Sequence, residues 1–374
     1  MFGAILTVFF TVLLGYVLWR VGTVPWIARR ATPRRLVATG TVLWLIFILG
    51  RFVGHDGTGP VSALLELVGM SLLGWVFLTF LPLLCVDLAT LFGRALRRWA
   101  PLLRLGAASV GTTLALIALV QGFRAPAVVV HEVTLPGLPA SLDGTTIVAA
   151  SDAHLGTQLG VEWLVERAQQ IRAQQPDAIL FLGDMFEGHG GTSLDLSSLR
   201  ALSPPLGKWY VTGNHDSDRR RGSSADWLEQ ADFRRLRNQS AELAPGLVVA
   251  GVDDLTRHRR RQQQGDPLAE ALSPRPSGAT ILLSHTPWRA ERAAQEGAQL
   301  MLSGHTHGGQ IWPFGYLVQA VYPLVAGRYC VDGMPVIVSR GMGTWGPRMR
   351  LWHRGEILRI ELRAPRDPRR RGCP

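Results

Sequence analysis

Ala178-Ile179-Leu180-Phe181-Leu182-Gly183-Asp184 is the stretch on which the reading of this chain turns. Five apolar residues are too short a run for a helix and show no polar alternation. They read as a fully buried strand that stops at a Gly-Asp turn. The same pattern recurs on both sides. Residues 145–150 lead into Asp152-Ala153-His154, and 209–211 into Gly213-Asn214-His215-Asp216. Residues 281–283 lead into Ser284-His285, and 300–302 into Gly304-His305-Thr306-His307. Residues 161–174 place Trp163, Leu164, Ala168 and Ile171 at helical spacing, while 247–252, 335–338 and 357–362 add further strands. Alternating strands and helices predict an α/β domain with helices covering the sheet. Such sheets carry their sites beyond the C-terminal strand ends, where these motifs lie.

The first third of the chain is different. Residues 1–18, 36–53, 67–86 and 105–123 are apolar runs, near the roughly 20 residues needed to cross a bilayer. They predict an all-α four-span transmembrane anchor over 1–124. A linker or edge segment rich in Pro and Gly follows over 125–141, then a folded domain over 142–363 and a disordered tail over 364–374. The first run reads as a span, not a cleaved signal peptide, because no basic residue precedes it and no small-residue cleavage site is clear. Arg20, Arg29, Arg30, Arg34 and Arg35 lie between spans one and two, and Arg94, Arg97, Arg98 and Arg104 between spans three and four. The loop between spans two and three has little charge excess. The positive-inside rule then predicts a multi-pass cell-membrane protein whose N-terminus and C-terminal domain are extracytoplasmic. No charged pair is expected deep inside a span, since Glu66 and Asp87 flank the third, and this favours an anchor over a transporter.

The net charge of +11 rests on arginine, Lys208 being the one lysine. The arginines cluster beside the spans and in two loops, so anionic lipid is the expected partner and nucleic acid is not. The two loops, 218–224 and 256–264, read as solvated segments or as contacts to headgroups or an anionic substrate. Cys85, Cys330 and Cys373 lie far apart without CxxC spacing, which argues against a disulfide framework or a cysteine zinc site.

The motifs supply carboxylate, amide and imidazole donors. Asp152 and His154 are two apart, so at a strand end both can face one ion. Mixed nitrogen and oxygen donors suit two divalent first-row metals (Mn, Fe or Zn) better than calcium. The favoured arrangement gives one ion Asp152, His154, Asp184 and His307, and the other Asp184, Asn214, His285 and His305, with Asp184 bridging. His215 then protonates the leaving oxygen or stabilises the transition state, and Asp216 orients its ring. His55, His131, His189, His258 and His353 fall outside the pattern. Trp312, Phe314 and Tyr316 follow the Gly-Gly turn and line an apolar channel beside the metals or belong to the core.

Over roughly 142–363 the sequence resembles the calcineurin-like metallophosphoesterase superfamily. The resemblance rests on Ser151-Asp152-Ala153-His154-Leu155-Gly156, Gly183-Asp184-Met185-Phe186-Glu187-Gly188, Gly213-Asn214-His215-Asp216, His285 and Gly304-His305-Thr306-His307-Gly308-Gly309-Gln310. The last of these, with Gly341-Met342-Gly343, is similar to the membrane-associated YkuE/YaeI-type branch. The resemblance implies a four-layer αββα sandwich of two mixed sheets and the same ligand assignment. Glu187 stands where the branch often has Asp, and Leu351-Trp352-His353-Arg354-Gly355-Glu356 stands where a Pro-rich stretch is more usual.

The expected activity is hydrolysis of a phosphate ester by a dimetal-activated hydroxide, the substrate being a phospholipid or another lipid-linked phosphate. The alternative is a cytoplasm-facing hydrolase of a nucleotide-diphosphate-linked lipid, of the UDP-diacylglucosamine pyrophosphatase type. A metal-binding scaffold would be expected to lack part of the ligand set. Monoester or diester preference and oligomeric state are not expressed in the motifs.

Overall fold

The computed structural model describes residues 2–187, 195–216, 224–365 and Cys373. The chain forms two compact units: Met1–Arg124 with Gly346–Trp352, and Ala125–Trp345 with His353–Pro374.

The first unit is helical: α1 (Phe2–Gly22), α2 (Pro25–Ala28), α3 (Pro33–Leu49, extended by a π-turn to Gly54), α4 (Gly59–Ala89) and α5 (Ala100–Gly122). Helices α2 to α5 each carry Pro in the first turn, where a missing N–H costs nothing. The segments Gly3–Gly22, Pro33–Gly54, Gly59–Ala89 and Ala100–Gly122 are long and apolar enough to cross a membrane. Their shared interior is aliphatic and aromatic, with Phe10 stacked on Phe47 at 4.1 Å.

The helices run further than the apolar runs, so Glu66 and Asp87, expected to flank the third run, fall inside α4, with Asp87 near its end. Asp87 is fully buried inside α4. Its Oδ1 accepts from Arg104 Nε and Nη2 at 3.0 and 2.9 Å, and its Oδ2 pairs with Arg20 and accepts from Tyr16. Glu66, also within α4, lies 2.7 Å from His55. Pairing of this kind lets a carboxylate lie within a helix bundle. Gly346–Trp352 also belongs to this unit, with the Arg350 N–H donating to the Ala118 carbonyl at 2.9 Å and the Trp352 N–H to Gln121 at 2.8 Å.

The second unit holds β1 (Ala127–Thr134), β2 (Thr146–Ala150), α6 (Val161–Arg172), β3 (Ala178–Phe181), α7 (Ser197–Arg200), β4 (Lys208–Tyr210), α8 (Ser224–Gln230), β5 (Arg234–Arg235), β6 (Gln239–Ala244) and β7 (Leu247–Gly251). It continues through α9 (Leu255–Arg260), α10 (Pro267–Leu272), β8 (Ala279–Leu283), α11 (Ala290–Gln295), β9 (Leu300–Ser303), α12 (Gly315–Gln319), β10 (Gly327–Val331), β11 (Met334–Val338) and β12 (Glu356–Arg363). One sheet has the order β1-β12-β2-β3-β4-β5 and the other β10-β11-β9-β8-β7-β6. Strands β2 to β5 run parallel, as do β7, β8, β9 and β11, while β12 is antiparallel to β2 and the edge strands β6 and β10 are antiparallel to their neighbours.

Strand alternation sorts the side chains into layers. Ile147 and Ala149 of β2, Leu180 of β3, Val249 of β7, Ile281 and Leu283 of β8, and Leu300 and Leu302 of β9 meet in one core between the sheets. Their neighbours Val148, Ala150, Ile179 and Phe181 face Leu164, Ala168 and Ile171 of α6 on one outer side. Ala250, Leu282 and Met301 face α10 and α11 on the other. The result is the expected αββα sandwich of two mixed sheets.

Several local expectations differ. Of the two readings of 125–141, linker or edge segment, the edge is realised: it contains β1, the outermost strand, whose Val128-Val129-Val130 run favours extended pairing with β12. The arginine-rich run 256–264 opens as a helix, α9, because Asp254 caps it by accepting from the Arg257 N–H at 3.0 Å. Most of the other arginine loop, His189 and most of the tail expected to be disordered lie outside the described residues. Cys330 and Cys373 form a disulfide, where the spacing of the cysteines argued against a disulfide framework; their Cα atoms are 6.1 Å apart across 43 residues of sequence.

Candidate metal centre

All the expected site residues lie on loops that leave the C-terminal ends of parallel strands. Asp152 and His154 follow β2, Asp184 follows β3, Asn214, His215 and Asp216 follow β4, His285 follows β8, and His305 and His307 follow β9. The loops are locally strained. Asp152, His154, Asp184, His305 and His307 all have left-handed backbone, with φ of 53°, 47°, 52°, 73° and 50°. Non-glycine residues seldom adopt this conformation, and it persists where the surroundings over-determine it. The supporting glycines are forced by proximity: a Cβ on Gly304 would collide with the Ser151 and Asp152 side chains, and one on Gly213 with Asp184.

Among the described residues three groups result: Asp152, His154 and His307; Asp184, His285 and His305; and, sharing His154 with the first, His154, Glu187 and His215. In the first, His154 Nε2 and His307 Nε2 are 3.1 Å apart, and His307 Nε2 is 3.4 Å from Asp152 Oδ1. In the second, His285 Nε2 is 3.0 Å from Asp184 Oδ2 and 3.3 Å from His305 Nδ1. His285 Nδ1 donates to the Leu182 carbonyl at 2.8 Å, which turns the Nε2 lone pair toward the Asp184 carboxylate. Two acceptors at that separation require a cation or a proton between them. Asn214 Oδ1 is buried and has no hydrogen-bond partner among the described residues. The donor set and this orphaned oxygen fit divalent cations.

The electrostatics follow from the packing. Burial pushes His305 down to about 4, and His285 beside it adds to the effect. Burial would also lower His154, but Glu187, Asp184 and Asp152 carry it up to about 9. Burial would raise Asp184, yet His285, His215 and His154 hold it well below the usual carboxylate range. Burial raises Asp152, and it raises Asp216 with help from the Asp184 charge.

The expected support of His215 by Asp216 takes a different form. The Asp216 carboxylate accepts from the N–H groups of Asp184, Met185 and Gly213 at 2.7, 3.1 and 2.8 Å, so it braces two of the metal loops against each other. The carboxylate beside the His215 ring is Glu187, whose Oε1 lies 3.6 Å from Nδ1. Glu187 Oε2 also lies 2.7 Å from Nδ1 of His154. Its position three residues after Asp184 was the only hint of this in the sequence. Tyr322 was not foreseen: its hydroxyl lies 2.7 Å from His305 Nε2, and no motif marks it. Trp345 lies 6.0 Å from the His215 ring. Trp312, Phe314 and Tyr316 are exposed, so they are not core residues.

Comparison with known proteins agrees with this geometry. The family description "Calcineurin-like phosphoesterase" matches residues 145–309. A metallophosphoesterase of Aquifex aeolicus is 35% identical over 58% of this chain and 85% of its own length. The Bacillus subtilis metallophosphoesterase YkuE is 33% identical over 63% of this chain and 84% of its own. A Danio rerio "Transmembrane protein with metallophosphoesterase domain" is 32% identical over 68% of this chain, which spans 61% of that protein's length. With such coverage of the bacterial relatives and this arrangement at the strand ends, the chain belongs to the calcineurin-like metallophosphoesterase family.

Proposed function

We propose that the chain is a membrane-anchored hydrolase of phosphate esters that works with two divalent first-row cations, manganese, iron or zinc. The observation that carries the reading is the pair of ligand clusters at the strand ends, together with the buried Asn214 Oδ1 that lacks a hydrogen-bond partner among the described residues. Asp152, His154 and His307 would hold one cation and Asn214, His285 and His305 the other, with the Asp184 carboxylate shared. Such a pair supplies polarisation of the phosphoryl group and an activated water.

The remaining steps fall to the protein. His215 is partly exposed, with its Nδ1 toward Glu187, so Nε2 would be the atom that delivers a proton to the leaving oxygen. Glu187 fixes the tautomer of His154 so that Nε2 faces His307 and Asp152. The backbone N–H of His305 donates to both oxygens of Asp152, at 3.1 and 3.0 Å, and holds that carboxylate in place.

The substrate class we assign is a phospholipid or a lipid-linked phosphate, with the second unit on the extracytoplasmic side. The four membrane-length helices support the lipid. The arginine-rich first and third loops support the sidedness. The disulfide between Cys330 and Cys373 supports it independently, since such bonds persist in oxidising compartments.

The test is the full chain in lipid nanodiscs, loaded with manganese and offered a panel of phosphorylated lipids and nucleotides. Hydrolysis of at least one lipid phosphate, absent in Asp184→Asn, is expected. If elemental analysis after loading finds no bound metal and no ester is cleaved, the reading is wrong. A reporter fused after Phe123 that works only in the cytoplasm would reverse the sidedness.

A further inference from the structure

Within the second unit, five large apolar side chains lie on the surface in ten residues of sequence. Trp312, Phe314, Tyr316, Leu317 and Val321 are 48%, 40%, 68%, 60% and 58% exposed. Scattered apolar residues are ordinary on a protein surface, but such a concentration on one short helix and its approach is a patch that marks an interaction. A stack of side chains connects it to a cationic neighbour. The Arg259 guanidinium lies 5.6 Å from the Trp288 ring, Trp288 stacks on Tyr322 at 5.3 Å, and Tyr322 packs against His305 at 4.8 Å. Tyr322 directly follows Val321, and Arg259, Arg260 and Arg261 are exposed.

We propose that α12 with its approach, together with the arginines at the end of α9, docks on an anionic lipid bilayer. Trp and Tyr beside aliphatic side chains, bordered by arginine, is the composition of a surface that settles at the headgroup boundary. Arginine complements anionic headgroups, and apolar side chains enter the acyl region between them. The tether supplies the partner: a unit joined to membrane-length helices meets a bilayer at high effective concentration, so a small patch suffices. Docking brings His305, through Tyr322, toward the headgroup plane. The inference rests on the helical unit lying in a bilayer and not on the substrate being a lipid.

The test uses the full chain carrying Leu317→Cys and Cys85→Ser, labelled with an environment-sensitive fluorophore and reconstituted in nanodiscs. One set of nanodiscs is phosphatidylcholine alone and the other contains phosphatidylglycerol. Blue-shifted emission, quenched by brominated acyl chains in the anionic discs, is expected. At least half of the shift should be lost in Arg259→Gln/Arg260→Gln/Arg261→Gln. A label at Gln239→Cys, on β6, should stay open to aqueous iodide. Equal iodide access at position 317 in both lipids overturns the proposal. So does a shift that follows the number of chains per disc, which would assign the face to a second copy. Hydrolysis of the phosphorylated-lipid panel added to the same discs separates the two readings: a docked label with no lipid of the panel cleaved leaves docking standing and removes the lipid substrate, and cleavage without docking does the reverse.

Discussion

Glu187 Oε2 lies 2.7 Å from Nδ1 of His154, on the side of the ring opposite His307 and Asp152. A carboxylate behind a ligating imidazole fixes its tautomer and raises its basicity. Glu187→Ala should therefore weaken metal binding by about 10–100-fold, with Glu187→Gln intermediate. Metal titration of the full chain measures this, and unchanged affinity in Glu187→Ala would show that the contact has no bearing on the ion.

His215 makes a different prediction. It shares a third group with His154 and Glu187, apart from the two clusters assigned to the ions. With His215 as the general acid, His215→Ala should lower turnover by about 10²–10⁴-fold. Metal stoichiometry should not change. Loss of an ion together with activity would move His215 into the ligand set.

Asp216 is buried and takes three backbone N–H groups from two loops. Asp216→Asn places an N–H₂ against one or more of those donors. A loss of about 2–4 kcal/mol in stability is expected, in the range for broken hydrogen bonds to a buried charge. Thermal unfolding of the metal-free chain reads this directly. A variant as stable as the parent but inactive would return Asp216 to a direct role in catalysis.

In the helical unit, Asp87 is the counter-ion shared by Arg20 and Arg104. Asp87→Ala leaves two buried guanidinium groups without a counter-ion, a change worth about 3–5 kcal/mol for buried pairs. Reversible unfolding in detergent should show that loss. Asp87→Ala combined with Arg20→Met and Arg104→Met should recover much of it, and a triple variant no more stable than the single one would contradict the assignment.

The metal residues were legible in the sequence because each stands directly after a short buried strand, and parallel strands deliver such positions to one edge. The layers were legible through strand alternation, as in Ile147 and Ala149 against Val148 and Ala150. What escaped depends on contacts distant in sequence. The choice between linker and edge strand for 125–141 is decided only by pairing with β12, more than 200 residues later. The run around Arg257 becomes helical because Asp254 caps it, and the same carboxylate accepts from Thr286 at 2.6 Å. Tyr322 reaches His305 across a loop that carries no motif. The pairing of Asp87 with Arg20 and Arg104 joins three positions that no motif links.

The return of Gly346–Trp352 to the helical unit has a practical consequence for dissecting the protein. Cutting the chain at Ala125 yields a fragment that still carries these seven residues but has lost the α5 groups that receive them, the Ala118 carbonyl and the Gln121 side chain. Met349 and Leu351, both about 1% exposed in the whole chain, would then be open to water. Aggregation of such a truncation would report a severed loop, and it would say nothing about whether the metal site can assemble.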